Sequence, residues 1–533
     1  MKHNDLPLRP LFRRATTLLL AAFFLAPGHA TADRYSTDWT VREAGAQSIQ
    51  RRTPTRTRSV RRARPAPVDR VWSSPTGAGA LSADLGAILG DGVRSGTWGV
   101  LAVSLTRGDT LYSVNPDEML QPASTMKLFT AALSLDQYSP SHRFSTDVLR
   151  TGSIDASGTL LGDLVIRGGG DPGLSKRFIP GGQSGAVDSL AALVAAAGIT
   201  RVRGRLIADA TAFDAQRIPE GWQSRYLHAS YAARVSALSL NENLAVIAVS
   251  PGAVGRAPAA AVEPLSSMPI VNKARTVEGS RSRIVILPTT DGGVEIRGTI
   301  GSRARTQRYQ VVIEEPALFT ANALRGALGE KGIIIDSETM ERATPAGAVL
   351  IASLHSVPLR DLLAVMNRES INHFAELLFR NAGRSASERG VGTVETAGDL
   401  LQQFMVQKVG ARPGSVYAAD GSGLSVLDRT TPRALVQLLE YAHREPWGET
   451  FHASLPVAGE SELLANRMKR TPAHGNLHAK TGTTNSVISL AGYVTAESGE
   501  LIAFAFIYNG TDRWKARETI DAMGPTLASF VRR

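Results

Sequence analysis

Residues 122–135 read Pro122-Ala123-Ser124-Thr125-Met126-Lys127-Leu128-Phe129-Thr130-Ala131-Ala132-Leu133-Ser134-Leu135. The apolar residues from Met126 onward recur at helical spacing, and Pro122-Ala123 breaks the chain before them. A helix is therefore expected to open at Ser124. Positions i and i+3 share a helix face, so Ser124 and Lys127 come side by side. A hydroxyl at a helix N-terminus also gains from the macrodipole, which favours negative charge developing there. The chain has 59 basic residues, yet only nine are Lys, and Ser124 leads its one Ser-x-x-Lys. A second lysine, Lys480, opens its one Lys-Thr-Gly, within His478-Ala479-Lys480-Thr481-Gly482-Thr483. In an Arg-rich chain a lysine stands out where chemistry needs an amine able to lose its proton.

A serine hydroxyl becomes a useful nucleophile beside a base. Lysine serves as that base only when neutral, which from an ordinary pKa of about 10.4 costs roughly 4.6 kcal/mol at pH 7. Burial and a second cation, for which Lys480 is the candidate, would supply the shift. Ser-x-Asn occurs three times, at Ser113-Val114-Asn115, Ser239-Leu240-Asn241 and Ser370-Ile371-Asn372. The third lies between two expected helices, Leu359 to Met366 and Phe374 to Phe379, where a hydroxyl and an amide can project into a cleft. Lys-Thr-Gly on an edge strand offers a cation, a hydroxyl and a glycine permitting close backbone approach, which suits a carboxylate-terminated substrate lying along the strand.

Taken in order, the three motifs resemble the signature set of the penicillin-recognising serine acyltransferases. Gly169-Gly170-Asp171-Pro172, Ser239-Leu240-Asn241-Glu242-Asn243-Leu244, Asp420-Gly421-Ser422-Gly423-Leu424-Ser425 and His478 to Thr483 narrow the resemblance. They are similar to the D-alanyl-D-alanine carboxypeptidase/endopeptidase family, the class C penicillin-binding proteins with two nested extra domains. The resemblance runs from about residue 76 to the end. It implies an α/β (α+β) fold: a β-lactamase/transpeptidase-like catalytic domain, with an antiparallel five-stranded sheet flanked by helices, and two nested, mostly β inserts. The catalytic domain is expected at 76–143 and 348–533, the first insert at 144–212 and 308–347, and the nested insert at 213–307.

By the same resemblance Ser124 is the acylated nucleophile, Lys127 the candidate base and Ser370 the relay to the leaving group. The motif leaves the identity of the base open. Asn372 would hold the substrate amide, Lys480 set the field, and Thr481 and Thr483 bind the terminal carboxylate. Gly482 allows the close approach, and the backbone N–H groups of Ser124 and Thr483 form the oxyanion hole. Ile371 stands where the commonest form of the motif has Asp. Asp209, in Asp-Ala-Thr-Ala-Phe, resembles an acidic residue that meets the substrate's diamino-acid side chain, with a strand-end turn residue as the alternative. His478 and Asp420 read as structural, the latter shaping a loop. No cofactor or metal is implied. The implied activity is a serine DD-peptidase acting on peptidoglycan stem peptides and acylated by β-lactams. A β-lactamase sharing the acylation step and an inactive wall-binding protein are the alternatives.

Bulk properties agree with an exported, folded enzyme. Lys2, Arg9, Arg13 and Arg14 precede an apolar run from Ala15 to Ala26, and Ala30-Thr31-Ala32 has the form of a cleavage site. A signal peptide over 1–32 and a periplasmic destination are expected, the run being too short to span a bilayer. Cysteine is absent, which excludes disulfides and thiolate chemistry. The net charge of +11 is concentrated in a tail: residues 51–70 hold eight Arg against one Asp, and residues 71–533 carry only +2. A basic run so placed, within a 33–75 linker poor in apolar residues, is expected to be disordered. It is a candidate for electrostatic contact with anionic envelope polymers, and otherwise a solvated spacer. No specific nucleic acid is implied.

Overall fold

Two apolar segments on either side of Arg107-Gly108-Asp109 form a hairpin, β1 (Thr97–Ser104) and β2 (Thr110–Val114). Its turn is closed by Ser104 N–H on the Asp109 carbonyl (2.9 Å) and Gly108 N–H on the Ser104 carbonyl (2.7 Å). Three strands from the far end of the sequence complete the sheet: β3 (His478–Thr483), β4 (Val487–Thr495) and β5 (Leu501–Asn509). The order is β2-β1-β5-β4-β3, antiparallel throughout, with Thr97 opposite Asn509 and Ser104 opposite Ile502. These relations come from a computed structural model that describes residues 72–532. The expected signal peptide, 1–32, and the Arg-rich run, 51–70, lie outside the described residues.

The two-residue period of β5 sends its side chains to opposite cores. Ile502, Phe504 and Phe506 pack under α1 (Ala78–Asp91) and the C-terminal helix, Arg513–Ala528, with Leu85, Ile520 and Met523. Ala503, Ala505 and Ile507 face a helical layer made of α2 (Lys127–Gln137), α3 (Leu359–Glu369), α4 (Asn372–Ala386) and α5 (Pro432–Arg444). With both faces covered, β4 and β5 are almost continuously buried. Each buried Phe or Leu contributes on the order of 1.5–3 kcal/mol. Pro432 stands at the first position of α5, and the Thr431 hydroxyl caps it by accepting from Ala434 N–H.

Between α2 and α3 the chain departs and returns at one place. Phe144 N–H donates to Ser356 Oγ (3.0 Å), and Ser356 N–H to the Phe144 carbonyl (2.9 Å). From there Ser145–Arg150 runs antiparallel to Val349–His355. A five-stranded mixed sheet builds outward from this pair through Leu164–Gly168, Leu206–Asp209 and Thr339–Glu341, covered by the helices Gly185–Ala196 and Pro316–Glu330. Beyond it lie a three-stranded sheet, Gln307–Val312 with Leu244–Ser250 and Ala259–Glu263, and a four-stranded sheet around Val294–Gly301.

Some elements differ from the sequence reading. Arg201–Val202 and Leu206–Asp209, close in sequence, are two strands in two sheets. Gly204 N–H on the Gly162 carbonyl (3.0 Å) and Arg205 N–H on Asp163 Oδ1 (2.8 Å) hold the kink between them. The expected nested edge at 307/308 falls on the first residue of Gln307–Val312, a strand whose whole ladder is with Leu244–Ser250. Helix α4 runs well past the apolar stretch Phe374 to Phe379. A further helix, Val394–Gln407, opens on a Thr393/Thr396 capping box with no counterpart in the sequence reading.

Candidate active site

Ser124 sits in a 3₁₀ turn, Ala123–Met126, that runs directly into α2, whose first residue is Lys127. Ala123 adopts φ 49°, a left-handed conformation that a non-glycine residue holds only under constraint from its surroundings. Two glycines supply that constraint. A Cβ on Gly423 would overlap the Ala123 carbonyl, and one on Gly482 would overlap Ser489 Oγ and lie 2.7 Å from the Pro122 carbonyl and 3.1 Å from Ser124 N. Glycine at these two places lets the 420–425 loop and β3 close on the nucleophile's turn from opposite sides. Strand β3 is the outer strand of the sheet. Its start is covered, with Val457 bridged to His478 and Ala479 N–H bonded to the Pro456 carbonyl.

The second motif enters from the α3–α4 junction. Ser370 terminates α3 in the left-handed conformation, φ 59°, which turns the chain sharply into Asn372, the first residue of α4. Lys480 Nζ donates to Ser370 Oγ (2.9 Å) and to the Thr481 carbonyl (2.9 Å). Lys127 Nζ has three partners: Asn372 Oδ1 at 2.6 Å, the Ser422 carbonyl at 2.7 Å and Ser124 Oγ at 3.1 Å. Asn372 is oriented by its other end, since its Nδ2 donates to the Tyr231 carbonyl (2.9 Å).

The partners of Lys127 define what it can do. Asn372 Oδ1 and the Ser422 carbonyl can only accept, so they take the two N–H bonds of a neutral amine. The remaining tetrahedral direction, the lone pair, then points at Ser124 Oγ. Burial of the amine lowers its pKa to about 8, against the pull of Asp420, Glu376 and Asp428, which raise it. Burial also holds the Lys480 ammonium well below its ordinary value, and the charge of Lys127 lowers it further. Mutual repulsion thus disfavours the doubly charged pair.

A carboxyl cluster lies under this amine. Asp420 accepts from Trp222 Nε1 (2.7 Å) and from the backbone N–H groups of Ser422 (2.8 Å), Gly423 (2.6 Å) and Ser425 (2.7 Å). These bonds shape the loop that aims the Ser422 carbonyl at Lys127. Burial, reinforced by Asp420, raises Glu376 to about 8 and holds Asp428 well above its ordinary value. Ser124 and Ser370 border two cavities: one of about 350 Å³ on the side of Thr481, the other of about 300 Å³ on the side of Asn372, Tyr226 and Tyr231.

The model of the D-Ala-D-Ala carboxypeptidase 3 (S13) family matches residues 81–530. The chain belongs to that family. A D-alanyl-D-alanine carboxypeptidase of Actinomadura sp. (strain R39) is 34% identical over 472 residues, spanning 85% of each chain. The D-alanyl-D-alanine carboxypeptidase DacB of Haemophilus influenzae is 26% identical over 82% of this chain and 90% of its own. Among solved structures, penicillin binding protein 4 (dacB) from H. influenzae superposes with a TM-score of 0.71 at 22% identity, over 83% of this chain and 98% of that one. The fold is therefore that of a penicillin-binding protein, and this S13 chain is a serine-type carboxypeptidase, a hydrolase.

Within this S13 chain, Ser124, Lys127, Ser370, Asn372 and Lys480 converge, with Thr481, Gly482 and Thr483 along the adjoining strand. Asp209 does not join them. It ends the strand Leu206–Asp209, where Oδ1 accepts from Thr211 N (2.9 Å) and Oγ1 (2.6 Å), and Oδ2 from Thr344 N (2.8 Å) and Oγ1. Burial would raise its pKa, but the threonine hydrogen bonds outweigh that and hold it low. The structure thus places Asp209 as a turn-former with both oxygens committed. His478 packs against His452, with ring centroids 4.5 Å apart and the planes tilted by 56°. Of Ser239-Leu240-Asn241, the serine hydroxyl accepts from Asn243 Nδ2 (3.0 Å), which also meets His373 Nε2 (3.1 Å) on α4, so this Ser-x-Asn braces the inserted chain. Sequence reasoning missed Tyr231, Trp222, Glu376, Arg467 and Arg517. The first two act through backbone and indole contacts that no motif encodes.

Proposed function

We propose that the enzyme hydrolyses the terminal D-Ala-D-Ala bond of peptidoglycan stem peptides through an acyl-enzyme on Ser124. The observation that carries the assignment of roles is the three-way coordination of Lys127 Nζ, which leaves a lone pair for the Ser124 proton. With a pKa of about 8, about one amine in ten is neutral at pH 7, a cost of about 1.4 kcal/mol. Ser124 Oγ attacks the carbonyl carbon of the penultimate D-Ala while its proton passes to Lys127. The backbone N–H groups of Ser124 and Thr483 meet the oxyanion. The C–N bond then breaks, and the leaving amine takes a proton relayed through Ser370 Oγ. Water next adds to the ester, gives a proton to the same base, and frees the Ser124 hydroxyl.

Thr481 and Thr483 receive the substrate carboxylate and Asn372 its amide, the peptide lying along the outer edge of β3. β-Lactams acylate the same serine. The family membership weighs against a β-lactamase, and the complete set of polar contacts around Ser124 weighs against an inactive descendant. Crosslinked peptides are cleaved by the same route, the leaving amine then belonging to a diamino acid. The domain division proposed is 76–143 with 348–533, 144–212 with 308–347, and a nested part over 213–307, the strand Gln307–Val312 lying across that last edge. Export to the periplasm is part of the proposal. No helix among the described residues is long and apolar enough to cross a membrane. Residues 51–70 hold the enzyme near anionic envelope polymers, so deleting them is expected to abolish retention on a polyanion column and leave peptide hydrolysis unchanged.

A fluorescent penicillin tests the central reading. Wild type is expected to take one covalent label and Ser124→Ala none. No label on wild type, or equal label on both, overturns it.

A further inference from the structure

Ser124 stands between two cavities; the one of Tyr226 and Tyr231 is lined by a single arginine, Arg513, and the other by two. On the side that Thr481 lines, the cavity of about 350 Å³ is walled by Arg467 and Arg517 and has no carboxylate among its lining residues. Arg467 is nearly buried; its Nε donates to Asp521 Oδ1 (2.8 Å), and its Nη2 lies 2.6 Å from the same oxygen as an ion pair without a hydrogen bond of its own. Arg517, on the same helix as Asp521, has no ion-pair or hydrogen-bond partner among the described residues. Burial and the adjacent Arg467 both make its charge harder to hold. Two guanidiniums share one carboxylate here, leaving a net positive wall within the cleft of the nucleophile.

The two cavities can be assigned to the two halves of a substrate, given the DD-peptidase reading above. Asn372, which takes the acyl-side amide, lines only the cavity of Tyr226 and Tyr231. Thr481, which takes the leaving group's carboxylate, lines only the arginine cavity. The arginine cavity is therefore the leaving-group side. A leaving D-alanine has one carboxylate, already met by the threonines, and a methyl group that needs neither the volume nor the second positive wall. We propose that Arg467 and Arg517 form a specificity pocket for a leaving amino acid whose side chain carries a further carboxylate, as a crosslinked diamino dicarboxylic acid does when it ends its own stem and its second carboxyl is free. Arg517 binds that carboxylate directly, and Asp521 with Arg467 holds the wall in place.

The test compares acyl-D-Ala-D-Xaa peptides in which Xaa is α-aminoadipate, norleucine or lysine, so that length is similar and terminal charge changes. In wild type, kcat/KM is expected to fall in that order, aminoadipate exceeding norleucine by about tenfold, as for one charge-assisted hydrogen bond. In Arg517→Gln the aminoadipate-to-norleucine ratio should fall towards one, and Arg517→Lys should restore part of it. The ratio is read within each variant, so a general loss of activity does not enter it. Penicillin labelling counts the folded sites. A wild-type ratio near one, lysine as the best leaving group, or an unchanged ratio in Arg517→Gln overturns the pocket. Failure of wild type to release D-Ala from D-Ala-D-Ala would instead overturn the peptidase reading on which it rests.

Discussion

Replacing Lys127 by Arg keeps a cation on α2 and removes the lone pair, because a guanidinium stays protonated at every accessible pH. In wild type the reactive fraction is the neutral amine. A pKa of about 8 makes that fraction about 1% at pH 6, half at pH 8 and about 90% at pH 9. Acylation should therefore rise about 50-fold between pH 6 and pH 8 and level off above pH 9. Lys480, Asp420, Glu376 and Asp428 all bear on the same amine, and Glu376 also titrates near 8. Stopped-flow acylation by a fluorescent penicillin across pH 6 to 10 separates them. Lys127→Arg is expected to lose at least ~100-fold, the lower end for removing a general base, and to lose the limb centred on pH 8. Glu376→Gln should keep that limb. If Lys127→Arg acylates within a fewfold of wild type, or if the limb disappears in Glu376→Gln while surviving in Lys127→Arg, the lysine is not the base.

Three further outcomes follow from the packing. In Gly482→Ala the added Cβ meets Ser489 Oγ and the Pro122 carbonyl, forcing β3 away from Ser124. Misplacement of that size costs on the order of 100-fold in acylation, measured beside an unfolding curve to separate rate from stability. For Glu376, the folded pKa of about 8 lies above the unfolded value near 4.5, so the folded protein retains a proton that the unfolded chain releases. Glu376 thus lowers stability progressively as pH rises from about 4.5 to about 8, and Glu376→Gln should gain in Tm over wild type across that window, with a flat difference counting against it. Asp209→Ala leaves four donors unmet in a buried turn and should cost about 1–3 kcal/mol in urea unfolding. It should not alter the ratio of kcat/KM between lysine and diaminopimelate peptides, and a change there would return Asp209 to the substrate.

The site was legible where chemistry is local in sequence. Ser124 and Lys127 are one helical turn apart, and Lys480 to Thr483 lie on one strand, so spacing alone groups each set. Choosing Ser370-Ile371-Asn372 among three Ser-x-Asn sequences depended on its position between helices, and the left-handed Ser370 at the end of α3 is the physical form of that position. Asp209 stayed between two readings because an acidic residue at a strand end serves equally as a turn-former, and the threonine that completes its ligation, Thr344, is 135 residues away. Glu376 was passed over because a lone carboxyl in an apolar helical run reads as a surface residue, whereas Asp420 and Gly421 come from a distant loop to meet it. The kink at Gly204 likewise has no local signature, since its partners Gly162 and Asp163 belong to another strand connection.

The chain inserted between Phe144 and Ser356 does more than hang from a paired exit. Its Tyr231 carbonyl orients Asn372, and its Trp222 indole holds Asp420, which in turn aims the Ser422 carbonyl at Lys127. The three motifs are therefore an incomplete inheritance. A descendant could keep every motif residue and still lose its base through drift in a stretch that carries no signature. Equally, turnover could be retuned there without a single change at the serine, the lysines or the asparagine. Transplanting the motif-bearing halves alone would carry over the letters of the mechanism and leave behind the two braces that set its proton transfer.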